Sequence, residues 1–151
     1  MKAIKVTNPI WLGEIAPRIN DYSNKIKIRG IDYESMYSYL RNVVQFGGDM
    51  AELFVVLDTA KPVAFANWSI RPLPYVASAG IENIYKWVKN TEPVELLIKE
   101  YINFGLKKRC VNYYARCNNK YISKLLNNYC EDYGYTFTDT GAIECVMRKE
   151  G

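Results

Sequence analysis

Residues 81–108 read IENIYKWVKNTEPVELLIKEYINFGLKK, and within this run the spacing of apolar residues changes from that of a strand to that of a helix. Over Ile81–Lys89, Ile81, Asn83, Tyr85, Trp87 and Lys89 fall on one face, while Glu82, Ile84, Lys86 and Val88 fall on the other. From Glu92 onward Val94, Leu97, Ile98, Tyr101 and Gly105 share one stripe of a helix. Asn90 or Thr91 stands where a cap is needed, Glu92 lies in the first turn, and Pro93 is tolerated there because the first amides have no intrahelical partner. The next extended run is Cys110–Cys117. A strand, a helix over 92–108 and a second strand make a parallel pair joined by a right-handed crossover.

On the N-terminal side of this unit, Leu53-Phe54-Val55-Val56-Leu57 is apolar throughout, as a strand covered on both faces must be. Asp58-Thr59-Ala60-Lys61 forms a turn and Pro62–Ile70 returns, so Leu53–Asp58, Pro62–Ile70 and Ile81–Lys89 are expected as consecutive antiparallel neighbours. Arg71–Gly80, with two prolines and a glycine, reads as a connecting loop. Further upstream, Ala3–Thr7 alternates as a short strand. Asn8 and Pro9 open a helix over residues 8–16, and Pro17 kinks or ends it. Asn20–Arg29 is polar and basic, with no assigned element. Asp32 caps a helix carrying Met36, Tyr37, Leu40, Val43 and Val44, which Gly47-Gly48-Asp49 stops.

On the C-terminal side, Ile122, Leu125, Leu126, Tyr129 and Tyr133 make the stripe of a last helix with Gly134 as its C-cap. Thr136–Thr138 and Ala142–Arg148 close the chain as a hairpin around Asp139-Thr140-Gly141. The expected fold is one α/β (α+β) domain over residues 1–151. Its mixed, mostly antiparallel sheet has about six or seven strands, flanked by helices on both sides.

Composition narrows the chemistry. The chain has 151 residues, no histidine and a formal charge of +4. Without histidine there is no Ser-His-Asp or Cys-His nucleophile pair, and most zinc and iron sites are excluded. Acid and base work falls to Glu, Asp, Tyr, Cys, Lys or water. The small positive charge suits an anionic ligand but is too dispersed to point to nucleic acid. Its densest cluster, Lys107-Lys108-Arg109, complements the dipole at a helix C-terminus. Thirteen tyrosines are unusually many; they read as the edge of a packed core before they read as stacking platforms. Cys110, Cys117, Cys130 and Cys145 show no C-x-x-C spacing. With no signal peptide and no membrane-length apolar run, they are expected as reduced thiols of a cytoplasmic protein.

The order hairpin, strand–helix, strand–helix, hairpin resembles the Gcn5-related N-acetyltransferase superfamily over about residues 50–149. The Asn118-Asn119 pair after a strand, and Tyr133-Gly134-Tyr135 in place of the common Leu-Gly-Phe, strengthen the resemblance, as does a terminal strand closing on Arg148-Lys149. The resemblance implies acetyl-coenzyme A as cosubstrate, no metal, and an amine-bearing small molecule or protein as acceptor. In that family the central strand splays from its neighbour and presents backbone groups to the pantetheine arm. The coenzyme would then meet Trp87, Val88 and Lys89 on the strand, Asn90, Thr91 and Glu92 at the phosphates, and Asn118 and Asn119 beyond the next strand. Glu82 is implied as general base, and Tyr129 as acid toward the departing thiolate. Where the family has a glycine-rich turn, however, this chain has Asn90-Thr91-Glu92-Pro93. Pro93 removes one donor, and Glu92 and Glu95 repel a pyrophosphate. The position four residues before Gly134, which often carries the family's tyrosine, is Cys130. Two functions follow: an acyl-coenzyme A-dependent N-acyltransferase acting by direct attack of the amine, or a catalytically inactive binding or assembly protein of the same fold, of a kind encoded by bacteriophages.

Overall fold

The computed structural model describes residues 1–26, 32–73, 76–116, 120–133, 135–139 and 144–149. The elements in chain order are β1 (Lys2–Lys5), α1 (Ile10–Ile26), α2 (Tyr33–Phe46), β2 (Ala51–Asp58), β3 (Lys61–Leu73), β4 (Val76–Lys86), α3 (Glu92–Lys107), β5 (Asn112–Arg116), α4 (Lys120–Tyr133), β6 (Tyr135–Asp139) and β7 (Glu144–Lys149). They form a seven-stranded sheet in the order β1-β2-β3-β4-β5-β7-β6. Every pairing is antiparallel except β4 with β5, which the α3 crossover makes parallel, as expected from the sequence.

Each face of the sheet buries one pair of helices. Leu53, Val55 and Leu57 of β2 pack with Leu12, Ile15 and Ile19 of α1 and Met36, Leu40 and Val43 of α2. Phe54 and Val56 point the other way, into a core built with Val94, Leu97, Ile98, Tyr101 and Ile102 of α3 and Ile122 and Leu126 of α4. The unbroken apolar run of β2 is the consequence of cover on both sides.

Four expectations are corrected. Pro17 does not end α1, which runs on to Ile26. The apolar stripe Leu12, Ile15, Ile19 continues straight past the proline, so burial outweighs one missing backbone bond. Arg71–Gly80 is not a loop: β3 extends to Leu73 and β4 starts at Val76, paired from Ile70↔Ala79 to Leu73↔Val76. β2 pairing ends at Ala51↔Ser69, so Pro72 lies where β3 is an edge and a missing donor is tolerated. β4 ends at Lys86, so Trp87, Val88 and Lys89 follow the strand. Finally, the alternation of β4 is interrupted. Asn67 pairs with Asn83 and Trp68 with Ile81, which leaves Glu82 as an extra, bulged residue. Ile81 therefore packs with the α3/α4 core, while Asn83 faces α1 instead of sharing its side.

Candidate functional site

The bulge at Glu82 coincides with the place where β4 leaves β5. The parallel ladder runs from Ser78↔Asn112 to Ile81↔Ala115. β4 continues to Lys86 with β3 on one side, and among the described residues no strand pairs with Glu82–Lys86 on the other. Below the opening, the buried hydroxyl of Tyr101 on α3 lies 2.8 Å from the carbonyls of both Ala79 and Tyr114, tying the two strands to the helix.

The backbone of the open stretch has a defined direction. Trp87 donates its amide to Val63 O at 3.1 Å, and Tyr85 and Asn83 stand opposite Phe65 and Asn67. Alternate residues of an antiparallel strand address the same neighbour. Asn83, Tyr85 and Trp87 thus address β3, and Ile84 and Lys86 turn their N–H and C=O toward the opening.

On the α1 side, a chain of side-chain hydrogen bonds crosses the sheet beside the bulge. Tyr22 OH donates to Asn83 Oδ1 at 3.1 Å, Asn83 Nδ2 to Asn67 Oδ1 at 2.7 Å, and Asn67 Nδ2 to the Tyr39 hydroxyl at 3.2 Å. Asn67 and Asn83 are buried, and the bonds satisfy both amides. The Tyr22 ring stands edge-on to Phe65 at 5.6 Å and 5.3 Å from Tyr85. Burial pushes its hydroxyl up to about 12, against a smaller opposing contribution from the Ile84 backbone amide. It is a neutral hydrogen-bonding group across the working pH range.

The start of α3 is built from its own side chains. Asn90 Oδ1 accepts the amide of Glu92 at 2.9 Å, while Thr91 makes no side-chain cap bond to the helix. Pro93 has no N–H. Tyr121, from the first turn of α4, donates to Glu95 Oε1 at 2.7 Å. Partial desolvation and Glu95 raise the Tyr121 hydroxyl, and a hydrogen bond with the Thr91 side chain works in the opposite direction. Behind this turn, Lys86 Nζ donates to the carbonyls of Val88 (2.7 Å) and Lys89 (3.2 Å), folding the link between β4 and α3.

The residues singled out from the sequence stand in different surroundings. Glu82 is exposed on the bulge and accepts from Ser69 Oγ at 3.2 Å. Trp87 faces α1: its indole donates to Pro62 O at 3.1 Å, and the Arg18 guanidinium lies 5.4 Å from its ring centroid. Asn90, Thr91 and Glu92 stand together, exposed, at the α3 start. Tyr129 is half-buried on α4 and packs against the α3/α4 core with Leu125. Asn118 and Asn119 lie outside the described residues, as do Gly134 and the side chains of Cys117, Cys130, Tyr133, Cys145, Arg148 and Lys149. Cys110 is a buried thiol whose pKa is raised by desolvation, the character of a packing residue. Among the described residues no cluster of His, Cys, Asp or Glu could hold a metal ion, and no helix is long and apolar enough to cross a membrane. Tyr22, Asn67, Asn83 and Tyr121 were not singled out by the sequence. Asn67 and Asn83, polar residues in otherwise apolar strand runs, are the signal that could have found the first three.

No family model matches the chain, and no curated protein matches it. Solved structures do. A ribosomal-protein-alanine N-acetyltransferase from Brucella melitensis superimposes with a TM-score of 0.67 at 14% identity, covering 97% of this chain and 96% of that one. A predicted acetyltransferase from Clostridium acetobutylicum, determined with acetyl-CoA, gives 0.63 at 13% identity over 92% of both chains. A GNAT-family acetyltransferase from Streptococcus pneumoniae gives 0.63 at 14% identity, over 98% of this chain and 99% of that one. Likeness at such low identity, running nearly end to end in both chains, is a statement about architecture. The fold of this protein is that of the Gcn5-related N-acetyltransferases.

Proposed function

We propose that the chain is an acyl-coenzyme A-dependent N-acyltransferase that passes an acetyl group to an amine by direct attack. The observation that carries this reading is the open edge of β4. Beyond the Glu82 bulge, the backbone groups of Ile84 and Lys86 address a gap between two parallel strands. An amide-bearing arm laid along that edge would add hydrogen bonds as an extra strand does. Structures of the same fold include one determined with acetyl-CoA, which supports the choice of ligand.

The residues fit the two ends of such a ligand differently. The open edge suits the pantetheine arm. The start of α3 offers phosphates little: Asn90 already takes the Glu92 amide, Pro93 lacks one, and Glu92 and Glu95 bring negative charge. Binding is therefore expected to be weak, held mainly at the strand. Bound acetyl-coenzyme A supplies a thioester activated toward amines. In this reading Glu82, exposed beside the opening, accepts the proton that the amine loses as its nitrogen bonds to the acyl carbon. Tyr129 donates a proton to the sulfur as the carbon–sulfur bond breaks. The acceptor is an amine-bearing small molecule or protein.

The α3 start favours a second reading, a non-catalytic binding or assembly protein that keeps the fold. Calorimetric titration with acetyl-coenzyme A, followed by a thiol-release assay over a panel of amines, separates them. Binding with amine-dependent thiol release supports the enzyme. Absence of both leaves the binding protein.

A further inference from the structure

The strand edge and the helix start differ in what they leave for a ligand. Along β4, Ile84 and Lys86 address the gap from positions about 6–7 Å apart on the strand edge. Each brings an N–H and a C=O, and among the described residues no strand pairs with this stretch on that side. Amides of a ligand laid there gain hydrogen bonds as those of an added strand do. A pantetheine arm carries a pair of amides for this pair of residues.

The start of α3 is already engaged. A helix N-terminus holds an anion through the unpaired N–H groups of its first turn. Here Glu92 N donates to Asn90 Oδ1 at 2.9 Å and Val94 N to Thr91 O at 3.1 Å, while Pro93 between them has no N–H. Glu92, Pro93 and Val94, which open the helix, therefore have no amide to offer without breaking a bond. The cations of the link compensate little. Lys86 Nζ is held by the carbonyls of Val88 and Lys89 at 2.7 and 3.2 Å. Lys89 is exposed but outnumbered by exposed Glu92 and Glu95. Tyr121 donates to Glu95 Oε1 at 2.7 Å, which fixes that carboxylate in the first turn. Both carboxylates repel a pyrophosphate.

We infer that this chain reads its acyl donor by the pantetheine arm alone, so that its donors are pantetheine thioesters as a class and the nucleotide of coenzyme A is dispensable. The inference rests on the acyltransferase reading above. The reaction asks nothing of the nucleotide. The amine nitrogen bonds to the acyl carbon and gives up a proton; the carbon–sulfur bond breaks, and the sulfur takes a proton to leave as the pantetheine thiol. Every reacting atom lies at the thioester end.

The test is calorimetric titration of the full chain with S-acetylpantetheine and with acetyl-coenzyme A, in the wild type and in Glu92→Gln. S-acetylpantetheine should bind the wild type within about threefold of acetyl-coenzyme A, or more tightly. In Glu92→Gln, acetyl-coenzyme A should gain more affinity than S-acetylpantetheine, because only the former carries phosphates for Glu92 to repel. A wild-type preference for acetyl-coenzyme A of about tenfold or more overturns the inference and leaves the acyltransferase reading standing. A gain as large for S-acetylpantetheine in the variant overturns it as well, since the charge then acts on the arm. Binding of neither ligand removes the acyltransferase reading together with the inference. Should the variant not fold, the wild-type comparison alone decides.

Discussion

Tyr129 shows how one residue can carry two accounts. It shares a stripe with Ile122, Leu125 and Leu126, and it packs on the α3/α4 core, half-buried. As an acid toward sulfur it must also reach the opening of β4. Replacing Tyr129 by Phe keeps the ring, so stability should change by no more than about 1–1.5 kcal/mol. Turnover should fall roughly 10²-fold or more, with acetyl-coenzyme A affinity near that of the wild type. Steady-state kinetics with thiol release reads this directly; undiminished turnover reduces Tyr129 to packing. Asp32 makes a simpler case. Its Oδ1 accepts the Ser35 amide at 2.8 Å, and that bond, at the positive end of α2, lowers the carboxyl below its ordinary 3.8. A lowered folded pKa means stabilisation that is full above 3.8 and lost as pH falls through the folded value. The melting-temperature difference between wild type and Asp32→Ala should therefore be larger at about pH 6 than at about pH 2.5. An equal difference at both would mean that the ionised carboxylate is not the cap.

At the scale of elements, α3 was legible because its stripe and its start are both written in adjacent residues. The stripe Val94, Leu97, Ile98, Tyr101 and Gly105 is buried as expected. Gly105 is required there by its neighbour. A Cβ at that position would fall within the ring of Tyr113, which is buried and fixed by donating to Ile102 O at 2.9 Å. Gly105→Ala should cost about 1–3 kcal/mol, a fall of roughly 3–10 °C in Tm by thermal melting. An unchanged Tm would show that Tyr113 can give way. The charges at the α3 start predict a change of the opposite sense: Glu92→Gln should tighten acetyl-coenzyme A by removing a negative charge near its phosphates. Unchanged or weaker affinity by calorimetry would contradict that position for the phosphates. What the sequence hid was set by partners far along the chain. The bulge at Glu82 follows from the register of β4 against Asn67 and Trp68, which no local alternation reveals. The passage of α1 through Pro17 depends on burial against β2 and β3, and the strand character of Arg71–Leu73 depends on its pairing with Val76–Ser78.

Across the whole molecule, the order and parallel pairing of the strand–helix–strand crossover were legible because period changes are local signals, although β4 spans Val76–Lys86 and not Ile81–Lys89. The mixed, mostly antiparallel sheet of about six or seven strands and the helices on both faces followed the family resemblance. The site was legible only in outline. Glu82 sits on the bulge of β4 and Asn90 caps the start of α3, while Trp87 turns its backbone to β3 and its side chain to α1. Tyr22 and Tyr121 come from elements 60 or more and 26 residues away in sequence from the groups they bond, Asn83 and Glu95, so their roles appear only once the chain is folded. The central claim is that the open edge of β4 receives an acyl-coenzyme A. The most direct measurement is a titration of isotope-labelled protein with acetyl-coenzyme A, followed through the backbone amide signals. The account predicts saturable shifts at Ile84 and Lys86, with smaller ones in the first turn of α3. No shift up to roughly millimolar ligand, or shifts confined to Lys107–Arg109, would contradict it.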